Sequence, residues 1–243
     1  MAMKRSNPVT RAAQAGVKGF TLLELILSLA MLLVVTGAIF EQINRMQKNS
    51  QSEAMKLDMS QQAREFVDQT VRDLHMSGFP SPSMYSNPPV GSPMVAAGLV
   101  SVSPTQILFE GDVNNDGNVY SVTITYVASD PNDPNCPCVR RAAAQKIPGD
   151  SLHQPTSPNY TEVTQVMPPG TNAGQSGEDL FAYYDQNGNP VTVGTGLVIP
   201  GDANTIATIK TVKINLSLLN NQYDQSTNRY DRMSISGTAR LNQ

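Results

Sequence analysis

The chain has 243 residues, of which 40% are hydrophobic and only 15% are charged, and its formal net charge is −3. Its length allows one or two domains with a buried core, and the absence of a basic charge excess argues against a nucleic-acid partner. Two histidines and two cysteines are too few for a typical His/Cys zinc enzyme.

The N-terminal region consists of a basic segment, residues 1–19, and an apolar segment, residues 20–40, in which 16 of the 21 residues are apolar. At about 1.5 Å per residue the apolar segment is about 31 Å long as a helix, which is enough to cross a bilayer. It is longer than the roughly 7–15 apolar residues of a secretory signal peptide, and this favours a membrane helix over a plain cleaved signal. Cations on its N-terminal side predict a cytoplasmic N-terminus and an exported remainder. The charged residues of the basic segment are Lys4, Arg5, Arg11 and Lys18.

One acidic residue, Glu24, lies near the start of the apolar segment. A carboxylate among apolar residues either reaches the membrane interface or finds a partner. Cleavage after Gly19 would give Phe20 a free ammonium group four residues before Glu24. The sequence would then carry an acid and a new cation at the same depth on every copy of the chain.

Residues 18–25, KGFTLLEL, resemble the type III signal of type IV pilins and type II secretion pseudopilins. The resemblance implies that a prepilin peptidase cleaves between Gly19 and Phe20 and that the new amino group of Phe20 is methylated. It also implies that Glu24 neutralises the N-terminal amine of an adjacent subunit during filament assembly.

The helix is expected to continue through residue 77, because residues 41–77 contain neither Pro nor Gly and Gly78 follows as a stop signal. Residues 44–52 are almost wholly polar and predict an exposed neck. The residues after the neck form an apolar stripe at helical spacing, which predicts packing against a globular head. The stripe consists of Met59, Ala63, Phe66, Val67, Thr70, Val71 and Leu74.

A second pattern, in residues 61–79, resembles PilW-type minor pilins and the related J-type minor pseudopilins. Three departures from major pilins support a minor subunit: a longer leader, no Pro in the apolar helix and no separated C-terminal cysteine pair. The matching residues are Gln61, Gln62, Ala63, Arg64, Arg72, Asp73, Leu74, Met76, Gly78 and Phe79.

The remainder of the chain predicts a linker at residues 79–95, rich in Pro, Ser and Asn, and a β-rich head at residues 96–243. Apolar and polar residues alternate in residues 121–126, 211–218 and 233–241, which is typical of half-buried antiparallel strands. The predicted fold class is therefore α+β, with one antiparallel sheet on the end of a long helix. The expected organisation is leader 1–19, transmembrane helix 20–40, periplasmic helix 41–78, linker and head, the lollipop shape of the pilin family.

The head contains one candidate metal site, since oxygen-bearing side chains alternate in residues 112–118 as in the first half of a calcium loop. Position twelve of such a loop is Thr123 rather than Glu, and predicted strands flank the segment, so a hairpin turn is favoured. No cofactor is expected, with calcium as the lesser alternative. The candidate ligands are Asp112, Asn114, Asp116 and Asn118.

The two cysteines, Cys136 and Cys138, are separated by a single proline. Export would permit a disulfide. Three states remain open from the sequence: a small intrachain ring, free thiols, or a bond between subunits.

The sequence thus predicts a non-enzymatic minor type IV pilin that helps pilus initiation and assembly. The expected partners are other minor and major pilins, the prepilin peptidase and the inner-membrane assembly platform. The protein is expected in the inner membrane with a periplasmic head, and then in the pilus. The alternative is a J-type pseudopilin of a type II secretion system. A membrane-anchored exported enzyme is a remote third hypothesis, since the sequence has no G-x-S-x-G, P-loop or H-E-x-x-H motif.

Overall fold

The computed structural model describes residues 19–84, 92–149, 160–170, 178–224 and 229–241. The chain divides into two compact units, Met1–Ser50 and Gln51–Gln243. The leader up to residue 18 and residues 85–91 of the linker lie outside the described residues, as do residues 150–159, 171–177, 225–228 and 242–243 of the predicted head.

The long helix α1 spans Leu22–His75, two residues shorter at each end than the sequence predicts. At its C-terminal end the amides of Met76 and Ser77 bond to carbonyls three residues earlier, each at 3.1 Å. Gly78 then adopts a φ of 79°, and its N–H donates to the Glu110 carbonyl at 2.9 Å. The helix ends here because the backbone turns and pairs with the sheet, and a left-handed φ favours glycine at that point.

The predicted apolar stripe of α1 is confirmed as the face that packs into the head. Ala63 and Leu74 are fully buried, and Met59, Phe66 and Val67 are at most 7% exposed. All five belong to the same hydrophobic core cluster as residues from both β-sheets. Hydrophobic burial therefore makes the second half of the helix an integral part of the head.

The larger sheet has six antiparallel strands in the order β5-β4-β3-β2-β1-β7. Its central strands pair in a regular register, and their inward residues, such as Phe109 and Val122, lie opposite one another. The strands are β1 Gly98–Val102, β2 Gln106–Gly111, β3 Tyr120–Val127, β4 Cys138–Gln145, β5 Tyr160–Thr164 and β7 Leu197–Val198.

A second sheet has three antiparallel strands in the order β6-β8-β9. Its strands are β6 Phe181–Tyr184, β8 Thr211–Asp224 and β9 Arg229–Arg240. A short helix, α2 Ala203–Thr208, precedes β8, and a 3₁₀ turn, Pro82–Met84, follows α1.

The α+β layout and the predicted strand alternation are confirmed, but the expectation of a single sheet is wrong. On β8 the alternating apolar residues Val212, Ile214, Leu216 and Leu218 are all buried. Gly237 of β9, which pairs with Ile214, lies against α1. Among the described residues the two sheets form separate ladders: β8 pairs with β6 and β9, and an isolated bridge joins Val166 to Leu218.

A buried ion pair ties the segment after the linker to the larger sheet. The Lys146 ammonium group lies 2.6 Å from the Glu110 carboxylate and also donates to the Val95 carbonyl at 2.9 Å. The same carboxylate oxygen accepts the Ala97 N–H at 2.8 Å. Both charged side chains are less than 8% exposed. Because a buried charge without a partner is costly, this pair fixes the path of residues 95–97 over the sheet.

Candidate functional site: an exposed apolar helix and its first turn

The first half of α1 exposes an unusual amount of apolar surface. Thirteen large apolar side chains between Leu22 and Phe40 are each at least half exposed. An 18-residue window of this helix has a mean hydropathy of 2.5 and is 0% buried. By length and composition the helix is able to span a membrane.

The energetic consequence of this exposure is large. Burying one large apolar side chain fully is worth about 1.5–3 kcal/mol. Thirteen side chains that are at least half exposed therefore leave on the order of 10–20 kcal/mol of burial unrealised, comparable with the whole stability of a domain, about 5–15 kcal/mol. The segment requires an apolar environment, either lipid or other protein.

The first turn of α1 is capped by Thr21. Its hydroxyl oxygen accepts the Glu24 N–H at 3.3 Å, and its carbonyl accepts the Leu25 N–H at 3.2 Å. A threonine followed three residues later by glutamate is the sequence signature of a capping box. The cap was not identified from the sequence, although T-x-x-E directly before an apolar run could have revealed it.

Glu24 lies in this first turn, where the helix macrodipole favours an anion. Its side chain is exposed, and within the part of the chain that the structure describes no cation forms an ion pair with it. Gly19 and Phe20 precede the helix as exposed, irregular backbone. The predicted cleavage and assembly residues therefore adjoin one another at the exposed start of the apolar helix.

The second half of α1 is joined to the larger sheet by an ion pair that the sequence pattern did not reveal. Arg141 of β4 donates to one Asp73 oxygen from two nitrogens, at 3.1 and 2.8 Å. Burial raises the pKa of Asp73 above its ordinary value, and the Arg141 guanidinium opposes that rise. Nearby, burial also raises the pKa of Glu162. The pair of Asp73 and Arg141 joins the helix to the sheet.

The candidate calcium ligands lie in the loop that joins β2 to β3, so the predicted hairpin is confirmed. The Asp112 carboxylate accepts the backbone N–H groups of Asp116 and Gly117, each at 3.0 Å. The Tyr120 hydroxyl and the Asn118 N–H bond to Asp116 and lower the pKa of its carboxyl. The carboxylates of Asp112 and Asp116 thus stabilise the turn through hydrogen bonds, and calcium binding stays the lesser alternative.

Cys136 and Cys138 form a disulfide within the chain. Of the three states that the sequence left open, the structure therefore has the small intrachain ring. A cluster of ion pairs that was not identified from the sequence lies beside this disulfide. Arg140 pairs with Asp130 at 2.6 Å and with Asp133 at 3.1 Å.

The carboxylate of Asp133 and the two sulfurs lie within 4.8 Å of one another, as metal ligands would. However, the sulfurs of Cys136 and Cys138 are bonded to each other, and Asp133 already accepts from Arg140 and Thr161. Hydrogen bonds from the Asn135 backbone and the Thr161 hydroxyl lower the pKa of Asp133. The cluster is therefore better described as a closed disulfide beside a satisfied ion-pair network than as a metal site.

Comparison of the chain with family models, with curated proteins and with solved structures finds no match.

Proposed function

We propose that the chain is a minor type IV pilin, a structural subunit that assists pilus initiation and assembly. The observation that carries this proposal is the position of the KGFTLLEL sequence. It lies at the capped, exposed start of a helix whose apolar half has no protein cover among the described residues. The proposal includes cleavage between Gly19 and Phe20, methylation of Phe20 and a structural rather than an enzymatic role for the chain in the filament.

The exposed apolar helix is suited to two successive environments, the membrane before assembly and the filament after it. Before assembly, lipid covers the apolar side chains, and the basic leader keeps the N-terminus on the cytoplasmic side of the inner membrane. During assembly, neighbouring helices replace the lipid. Because lipid tails are as apolar as leucine, exchanging lipid for protein gains no hydrophobic free energy. Van der Waals packing between helices therefore becomes the main attraction.

Glu24 supplies the specific contact in this mechanism. Cleavage converts Phe20 into a terminal ammonium group, which meets Glu24 of the adjacent subunit as the helices come together. A charge-assisted hydrogen bond of this kind is stronger in a medium of low dielectric than in water. The exposure of Glu24 and the absence of an intrachain ion pair in the described residues leave the carboxylate available for it.

The head supports the same proposal through its architecture. One face of the second half of α1 is buried against antiparallel sheets. This α+β layout agrees with the pilin-like head that the proposal requires. Expected partners are other minor and major pilins, the prepilin peptidase and the inner-membrane assembly platform. The subunit would reside in the inner membrane with a periplasmic head and then in the pilus.

The proposal is tested by replacing Glu24 with alanine in cells that assemble pili. The Glu24→Ala protein is expected to insert and to be processed, but its amount in sheared filaments should fall at least tenfold because the contact between subunits is lost. Glu41→Ala is the matched control, since Glu41 is an exposed acid on the same helix and pairs locally with Arg45. It should enter filaments like the wild type.

Normal incorporation of Glu24→Ala would contradict the assigned role. A deletion of the gene distinguishes the two filament systems. Loss of pili and of twitching motility supports a pilin, whereas loss of protein secretion with intact pili would assign the chain to the type II pseudopilus.

A further inference from the structure

The disulfide between Cys136 and Cys138 spans only one intervening residue. A disulfide stabilises a fold mainly by restricting the unfolded chain, and this effect grows with the length of the loop that it closes. A bridge between residues two apart therefore adds little restriction. Its presence in the head is not explained by stabilisation of the fold.

The two cysteines differ in their exposure. Cys138 is 0% exposed and is the first residue of β4, paired with Val127 on one side and Thr164 on the other. Cys136 lies in the preceding loop and is partly exposed. Because Cys138 is buried, the Cys136 side of the disulfide is the side open to an incoming nucleophile.

A cleft with a volume of about 160 Å³ opens beside Cys136. Its wall includes Pro137, Val166 and Leu219, which offer apolar surface. It also includes Gln165, whose side-chain oxygen is buried and has no hydrogen-bond partner among the described residues. The cleft thus offers apolar surface beside Cys136, and its lining includes one residue with an unused acceptor.

A guanidinium group lies on another side of the same sulfur. Arg140 Nη2 is 3.8 Å from Cys136 Sγ, and Asp130 and Asp133 hold the guanidinium in place. A neighbouring cation stabilises the Cys136 thiolate once that thiolate is released, while the two carboxylates moderate this effect. Exposed disulfides with this kind of surroundings are typically the labile ones.

We propose that the Cys136–Cys138 disulfide is a thiol–disulfide exchange site whose substrate is an extended segment of another polypeptide that carries two cysteines. This inference does not depend on the proposed function. The substrate segment binds in the cleft, and its thiolate attacks Cys136.

The substrate thiolate bonds to Cys136 Sγ, and the bond to Cys138 breaks, with its electron pair going to Cys138 Sγ, which takes a proton from water. A second substrate thiolate then attacks the substrate sulfur of the mixed disulfide and releases the Cys136 thiolate beside Arg140. Two electrons pass from the substrate dithiol to this chain, and an external disulfide restores the bond by the reverse exchange.

The first experiment uses the full chain in detergent micelles and two single-cysteine variants, with glutathione disulfide as the probe. Cys138→Ser retains the accessible sulfur and is expected to form a mixed disulfide at least ten times faster than Cys136→Ser, which retains the buried one. Intact-mass measurement after acid quenching follows the reaction, and calorimetry verifies that both variants are folded. Equal rates in the two folded variants would overturn the proposal.

The second experiment uses no variant, so it tests the proposed exchange site even if either single-cysteine variant fails to fold. The wild-type chain is incubated with reduced glutathione, free thiols are alkylated, and the mass shift is measured while calorimetry monitors the fold. The proposal requires reduction of the bond in the folded protein, with an unchanged thermal transition. Reduction only after denaturation would overturn it.

Discussion

Replacing Leu74 with alanine tests whether the second half of α1 belongs to the core of the head. Leu74 is 0% exposed and packs in the cluster shared with both sheets. Truncating a fully buried leucine costs about 2.7–5 kcal/mol, and we expect about 3 kcal/mol at this site. For a unit of this size each kcal/mol lowers the melting temperature by about 2–4 °C, so the expected decrease is roughly 6–12 °C.

The matched control is Leu57→Ala, the same substitution on the same helix at a side chain that is 71% exposed. A surface change of this kind alters stability by less than about 0.5 kcal/mol. Differential scanning calorimetry of the full-length variants in detergent micelles compares the two transitions. Similar decreases for both variants, or no decrease for Leu74→Ala, would refute the assignment of the helix to the core.

Two further variants probe the contact between helix and sheet. A side chain at Gly237 would overlap Val67 and come within 2.9 Å of Val71. Gly237→Ala should therefore cost about 1–3 kcal/mol, while Gly201→Ala, where the nearest atom is 3.7 Å from the new Cβ, should be nearly neutral. Equal calorimetric effects would contradict this packing. For Asp73, burial raises the pKa above 3.8, so the folded protein binds the proton more tightly than the unfolded chain. This contribution to stability is complete below pH 3.8, and it is lost as the pH rises through the pKa that Asp73 has in the folded protein. The advantage of the wild type over Asp73→Asn should therefore grow as the pH is lowered from neutral toward 3.8 in urea titrations, and a shrinking advantage would contradict it.

Much of the fold is accessible from the sequence because the relevant patterns are local. The helical spacing of residues such as Phe66 and Leu74 and the alternation in β8 each reveal a buried face without knowledge of the partner element. The hairpin between β2 and β3 follows from its Asp-Gly turn. Each of these predictions is confirmed by the structure.

The division into two sheets was not predictable in this way, because it depends on which strands pair over long separations in the chain. Two ion pairs of the head, Asp73–Arg141 and Glu110–Lys146, have the same character. Asp73 and Arg141 are 68 residues apart, and Glu110 and Lys146 are 36 apart. Alternation along a strand indicates which of its faces is buried. It does not indicate which charged residue of a distant segment will pair with a charged residue of that strand.

The candidate sites show the same contrast. The residues around Gly19 and Glu24 could be identified because they form one contiguous segment with an unusual acid in an apolar run. The state of Cys136 remained open until the structure placed its sulfur against Cys138 and beside Arg140. No spacing rule relates those groups to the cleft that adjoins them.

The proposed function requires that the chain be cut between Gly19 and Phe20 and act through its new N-terminus. Intact-mass spectrometry of the protein purified from its native cells detects this cut directly. We predict the mass of a chain that begins at Phe20 and carries one added methyl group, and we expect Gly19→Ala to accumulate at the mass of the uncut precursor. A mature protein that still begins at Met1, or that is cut far from Gly19, would contradict the account.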